Sequence, residues 1–159
     1  MKKGLIFCLF ICCACGASLR PANLHDFEIQ RVSEYPGVEK GELFERAKVW
    51  IAEEFVSADH VIEYENKKEG TIVGKGTLKH YSAPMGGPKV FVGYIKYTFI
   101  INTKPEKARI IVKDVHLVTK SGGRGTIYEK DWLNSKNEIE AICNRFIAAL
   151  QDGATQDDW

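Results

Sequence analysis

The chain is short of cysteine where a disulfide would need it. Of its five cysteines, Cys8, Cys12, Cys13 and Cys15 crowd the first fifteen residues, and Cys143 stands alone in the rest. Once the N-terminal segment is set aside, no internal disulfide framework is possible, so burial must supply the stability. No long apolar run exists either. The run from Leu5 to Ala14 is ten residues, which as a helix covers about half of a roughly 30 Å hydrocarbon core. An excess of one charge sign is also missing, with 22 Lys and Arg against 21 Asp and Glu. That balance argues against nucleic acid, whose binding needs clustered cations to neutralise phosphates.

Catalytic signatures are equally scarce. The four histidines, His25, His60, His80 and His116, fall in no His-x-His or His-Glu-x-x-His spacing, so no metal site is expected. There is no Gly-x-Ser-x-Gly nucleophile elbow. Glu53 and Glu54 are neighbours on a helix and diverge, so they make no acid/base pair. Asp114 and His116 sit two apart on a strand, where a carboxylate can orient an imidazole; without a nucleophile the pair reads as polar residues near a strand end. Ser121-Gly122-Gly123-Arg124-Gly125 is glycine-rich but lacks phosphate-loop spacing and a following helix, and reads as a flexible connection. No catalytic residue, cofactor or metal is therefore expected.

What is present begins with Lys2-Lys3, the apolar run and a cluster of small residues, the pattern of an export signal. Cys15, after Ala14 and before Gly16, occupies the place of a lipidated first residue, with cleavage after Ala17 as the rival outcome. Removing residues 1–14 leaves 145 of 159, and takes the basic count to 20 against 21 acids, a formal charge of about −1. That length suits one domain with one core. The expected organisation is a signal over 1–14, a tether over 15–25, a domain over 26–153 and a tail over 154–159.

Within the domain, Phe27 and Ile29 alternate with polar neighbours as in a half-buried strand that Pro36-Gly37 ends. From Glu39 to Phe55, Leu43, Phe44, Ala47, Trp50, Ile51 and Phe55 recur at helical spacing. Val61–Glu65 and Gly70–Tyr81 are strands joined by a polar hairpin. In the second, Ile72, Gly74, Gly76 and Leu78 share a face, on which the glycines are expected to let a helix approach. After a loop at 84–88, Lys89–Thr103 is the longest strand, with Phe91, Ile95, Tyr97, Phe99 and Ile101 on its inner side. Ala108–Thr119 is a further strand whose broken alternation calls for a bulge. A last helix is expected to start at the capping-box pattern Ser135…Glu138 and to run through Ile139, Ile142, Cys143, Phe146, Ile147 and Leu150 to Gly153. Cys143 in that stripe reads as a buried small hydrophobe.

The class is therefore α+β in the order β-α-β-β-β-β-α, an antiparallel sheet with both helices on one face. The Pro36-Gly37 turn, Glu42-Leu43-Phe44-Glu45-Arg46-Ala47 through Trp50, Ser57-Ala58-Asp59 to Val61-Ile62, and Gly70-Thr71-Ile72-Val73-Gly74-Lys75-Gly76 resemble a family of bacterial proteins of unknown function with a TATA-binding-protein-like (TBP-like) fold, frequent among Bacteroidetes lipoproteins. The resemblance implies the fold and carries no catalytic residues; it does not imply DNA binding.

The uncovered side of the sheet is then the expected working surface. Val73, Lys75, Thr77, Lys79 and Tyr81 point there, as do Val90, Val92, Tyr94, Lys96, Thr98 and Ile100 by the same alternation. Val73, Lys75, Tyr81, Val92, Tyr94 and Lys96 form the candidate binding surface for an envelope protein, peptide or glycan, with the membrane reached through Cys15. The alternatives are an envelope hydrolase around His116 and Asp114, and a protein that assembles through an exposed strand edge.

Overall fold

The computed structural model describes residues 20–55, 61–83 and 87–152. Six strands and two helices make up this part: β1 (Ile29–Glu34), α1 (Lys40–Glu54), β2 (Ile62–Asn66), β3 (Thr71–Ser82), β4 (Val90–Lys104), β5 (Lys107–Thr119), β6 (Arg124–Gly125) and α2 (Glu129–Asp152). The sheet is antiparallel in the order β1-β5-β4-β3-β2, with β6 also on β5. Along the chain the elements follow the expected β-α-β-β-β-β-α order with one short strand added before the last helix. β6 comes from the glycine-rich connection, which closes on itself: the Thr119 N–H donates to the Gly123 carbonyl at 2.8 Å and the Gly122 N–H to the Thr119 carbonyl at 2.9 Å. Those amides are spent inside the turn and cradle nothing.

Both helices lie on one face. α1 packs over β4 and β5, α2 over β1, β3 and β5, and the two touch each other. Phe44, Ile51, Ile139 and Phe146 join Ile72, Ile95, Phe99, Ile101, Ile110 and Val112 in a single core. Non-polar area removed from water in that layer is the main stabilising term. Trp50 meets Phe146 edge-on at 5.1 Å, and Arg46 donates to the Leu150 carbonyl at 2.6 Å, tying the helices together. The Pro36-Gly37 turn is held from below by the β4–β5 hairpin, whose Glu106 accepts from the Tyr35 N–H at 2.8 Å and the Gly37 N–H at 2.8 Å.

Four local expectations are corrected. Gly74 and Gly76 make room for rings rather than for a helix: a Cβ on Gly74 would lie 2.3 Å from Phe99, and one on Gly76 2.0 Å from Tyr97. The neighbouring strand lays those aromatics across the glycines. Ser135 is not a helix cap, because α2 already starts at Glu129, with the Asp131 and Trp132 N–H groups both donating to the Tyr128 carbonyl. Asp131 and Ser135 continue the Ile139 stripe at four-residue spacing toward the N-terminus, and both are buried. Polar residues on that stripe conceal it from a search for apolar periodicity.

The other two corrections concern β4. His80 pairs with Gly93 and Tyr81 with Phe91, leaving Val92 as an extra residue. A bulge of this kind exchanges the faces of everything beyond it. Phe91, expected in the core, therefore stands on the open side beside Tyr81, and Val92, expected on the open side, packs against the core. Val90 pairs with Ser82 on the helix side of the same exchange. The bulge expected in β5 is present, where Lys96 pairs with His116 and Thr98 with Lys113. It moves the buried set from Ala108, Ile110 and Val112 to Val115 and Leu117. Asp114 sits in it with φ 56°, a left-handed backbone uncommon for a residue with a side chain.

The export signal, Cys15 and the tail over 154–159 lie outside the described residues, as do Ser57-Ala58-Asp59. The described part of the expected tether is docked: the Ala22 N–H donates to the Ile127 carbonyl at 2.8 Å and the Glu129 N–H to the Arg20 carbonyl at 2.9 Å. Among the described residues, no helix is long and apolar enough to cross a membrane.

Candidate functional site

The side of the sheet away from the helices is uncovered by any described element. Strand pairing sets its residues in rows. Tyr81 stands beside Phe91; Lys79, Tyr94 and Val118 follow; then Thr77, Lys96 and His116; then Lys75, Thr98 and Lys113; then Val73, Ile100 and Ile111. Of the expected surface, Val73, Lys75, Tyr81, Tyr94 and Lys96 are brought together here, and Val92 is not. At one end Phe91 forms an aromatic group with Tyr81 at 5.6 Å and Tyr94 at 5.1 Å, and the Lys120 Nζ lies 5.2 Å from the Phe91 ring. Tyr81 and Tyr94 remain 45% and 39% exposed. Large aromatic surfaces left in water on a rigid sheet are suited to contact.

The charge on this face is one-sided. β3, β4 and β5 carry Lys75, Lys79, Lys96, Lys104, Lys107, Arg109 and Lys113 against the single acid Asp114. Lys75 pairs with Glu63 at 2.5 Å and Lys107 with Glu34 at 3.0 Å. Among the described residues, no carboxylate comes within ion-pair reach of Lys79, Lys96, Lys113 or Lys120. The acids are concentrated instead on the helices, where Glu42 pairs with Arg46 and Glu54 with Arg145. The near-zero net charge thus hides a separation of sign across the domain. Lys113, Lys120 and Phe91 extend the surface beyond the expected set: the first two stand out in the sequence only as cations, and the β4 bulge turns Phe91 to the face opposite the one its alternation predicts.

Asp114 and His116 do not form a carboxylate–imidazole pair. The His116 Nδ1 lies 2.8 Å from the Asp114 backbone carbonyl, and the carboxylate is exposed on the bulge. His116 does line a cleft of about 300 Å³ with His25, Arg124 and Thr126, and Asp114 takes no part in its wall. A second polar group is buried under the sheet: His80 Nδ1 lies 3.2 Å from the Ser135 Oγ, and the Ser82 hydroxyl donates to Asp131 at 2.7 Å. Burial holds the His80 imidazole below its ordinary pKa, with Asp131 pulling part of the way back. With His80 only 3% exposed, this group ties β3 to the first turns of α2. Cys143 is buried and its thiol is pushed up to about 11 by desolvation, the behaviour of a core residue rather than a nucleophile. Among the described residues, no cluster of metal-ligating side chains occurs.

The sequence profile of the domain of unknown function DUF4468, with TBP-like fold, matches residues 30–117. The chain belongs to this family. Among solved structures, a DUF4468 family protein from Bacteroides ovatus superposes with a TM-score of 0.61 at 11% identity, over 89% of this chain and 94% of that one. A TBP-like protein from Parabacteroides distasonis gives 0.63 at 14% identity, over 84% and 98%. Identities this low establish the shared TBP-like fold and nothing about the chemistry. A search of the curated proteins returns no significant match. The DUF4468 match ends within β5, and β6 and α2 lie beyond it.

Proposed function

We propose that this DUF4468 protein is an exported, membrane-tethered and non-enzymatic binding module of the bacterial envelope, which holds its partner on the open face of the sheet. The observation that carries the reading is the exposed face itself: two helices bury one side of a long sheet, and the other keeps tyrosines and lysines in water on rigid strands. A site built on strands presents side chains with less conformational freedom than one built on loops. Export rests on the Lys2-Lys3 apolar leader, and tethering on Cys15 as the first residue after cleavage. His116 Nδ1 meets the Asp114 backbone carbonyl rather than its carboxylate, which favours the binding reading over an envelope hydrolase at that pair.

The test replaces Tyr94 and Val73 with Ser and compares capture from envelope extracts with the parent and with Val49→Ser, a change on the exposed side of α1. Loss of captured material in the first variant alone, with an unchanged melting temperature, supports the open face. Identical capture by all three overturns it. Mass spectrometry of the native N-terminus tests the tether, with a diacyl or triacyl Cys15 expected and a free Ser18 refuting it.

A further inference from the structure

Three lysines on the open face fall on one diagonal. Lys79 on β3 stands opposite Tyr94, two residues from Lys96 on β4; Lys96 stands opposite His116, and Lys113 on β5 stands opposite Thr98, again two residues away. Diagonal neighbours on adjacent strands are separated by about 7–8 Å. Like charges at that spacing repel, and among the described residues no carboxylate relieves them. An arrangement that lowers stability in the free protein is relieved when a partner brings negative charge at the same interval.

We propose that the partner is a linear acidic polysaccharide, laid across β3, β4 and β5 with its carboxylates or sulfates against Lys79, Lys96 and Lys113. This rests on the open-face reading above and names the chemistry of its occupant. A row of cations at regular spacing suits a polymer with a charge on successive units, where one lipid headgroup would use a single pocket. The sugars between the charges find Tyr94, Phe91 and Tyr81 at one end of the diagonal, aromatic faces on which the apolar side of a pyranose can stack. Thr77 and Thr98 lie in the rows of Lys96 and Lys113, and supply hydroxyls for the ring hydroxyl groups. The three cations are lysines, point charges without the planar fork with which arginine grips phosphate. That favours an acidic sugar over a nucleic acid. Val73, Ile100, Ile111 and Val118, the aliphatic residues of the face, sit half-buried in the strands rather than at a protruding tip that could enter a bilayer.

The experiment is affinity electrophoresis of the purified protein through gels containing polygalacturonate or, in parallel, neutral hydroxyethylcellulose. Polygalacturonate should retard the parent at low ionic strength, and added salt should release it. Substitution of Lys79, Lys96 and Lys113 by Gln should weaken this at least tenfold while the melting temperature stays equal or rises, because a repulsion is removed. Lys40→Gln with Lys136→Gln, on the helices, should change nothing. The assignment is overturned if the parent is not retarded, if the triple variant binds as the parent does, or if the neutral polymer retards as strongly. Tighter binding to phosphatidylglycerol vesicles or to single-stranded DNA than to polygalacturonate also overturns it. Should polygalacturonate fail while Tyr94→Ser with Val73→Ser still abolishes capture of envelope material, only the polysaccharide falls. If neither set of changes affects any binding, the open-face reading falls with it.

Discussion

Replacing Gly76 by Ala tests how the inner layer is assembled. An ideal Cβ at Gly76 would lie 2.0 Å from the Tyr97 Cζ and 2.3 Å from both its Cε2 and its hydroxyl oxygen, where carbon atoms normally rest about 3.5–4.0 Å apart. Tyr97 is 2% exposed, so its ring has to move by more than an ångström through packed neighbours. Overpacking of this kind costs about 1–3 kcal/mol, and the reduced backbone freedom of alanine in the unfolded chain returns about 0.4–1 kcal/mol. A net loss of about 1.3 kcal/mol is expected, equivalent to a melting temperature lower by about 4–6 °C for a domain of this size. Urea unfolding followed by Trp50 and Trp132 fluorescence measures it. The clash involves only the far end of the ring, so in a Tyr97→Leu background the same glycine change should stabilise by about 0.4–1 kcal/mol, a coupling of about 2 kcal/mol. A Gly76→Ala protein that melts within about 2 °C of the parent, or an equal cost in both backgrounds, would refute the ring-over-glycine account.

The His80 group makes stability depend on pH. Because the folded state holds this imidazole below its ordinary value, the unfolded chain binds the proton more tightly. Stability is therefore complete above the unfolded pKa of about 6.5 and is lost as pH falls from there through the folded value. The urea midpoint should drop between pH 7.5 and pH 5.5, and drop less in His80→Gln; Ser135 and Asp131 are the polar groups facing the ring, and Asp131 in turn accepts from the Ser82 hydroxyl. An equal drop in both proteins would place the pH dependence elsewhere. Asp114 occupies a left-handed position at the β5 bulge, so Asp114→Gly should leave the protein as stable or raise it by about 0.5–1 kcal/mol, and Asp114→Val should cost about 1–2 kcal/mol. Thermal melts that rank the two in the opposite order would show that the bulge does not impose that conformation.

Much of the architecture can be read from local spacing. The apolar period of Leu43 to Ile51 and of Ile139 to Leu150, and the alternation through β3 and the second half of β4, depend on residues within a few positions of one another, and the structure follows them. The start of α2 is not legible in the same way. Asp131 and Ser135 are polar members of a buried stripe, tolerated only because Ser82 and His80, some fifty residues earlier, meet them there. The surface was half legible for a similar reason: Tyr94 and Lys96 follow from alternation, whereas Phe91 and Val92 trade places at a bulge that exists only through pairing with β3.

By itself the sequence determined the kinds of element, their order, the helix-facing stripe and the mid-strand members of the exposed face, because each is set by the backbone repeat of a single segment. The tertiary structure decided which residue is skipped in each ladder, which rings cover Gly74 and Gly76, and that Lys79, Lys96 and Lys113 fall on one line. Those outcomes depend on hydrogen bonds between strands distant in the chain, and a shift of one residue in that pairing turns every later side chain to the opposite face.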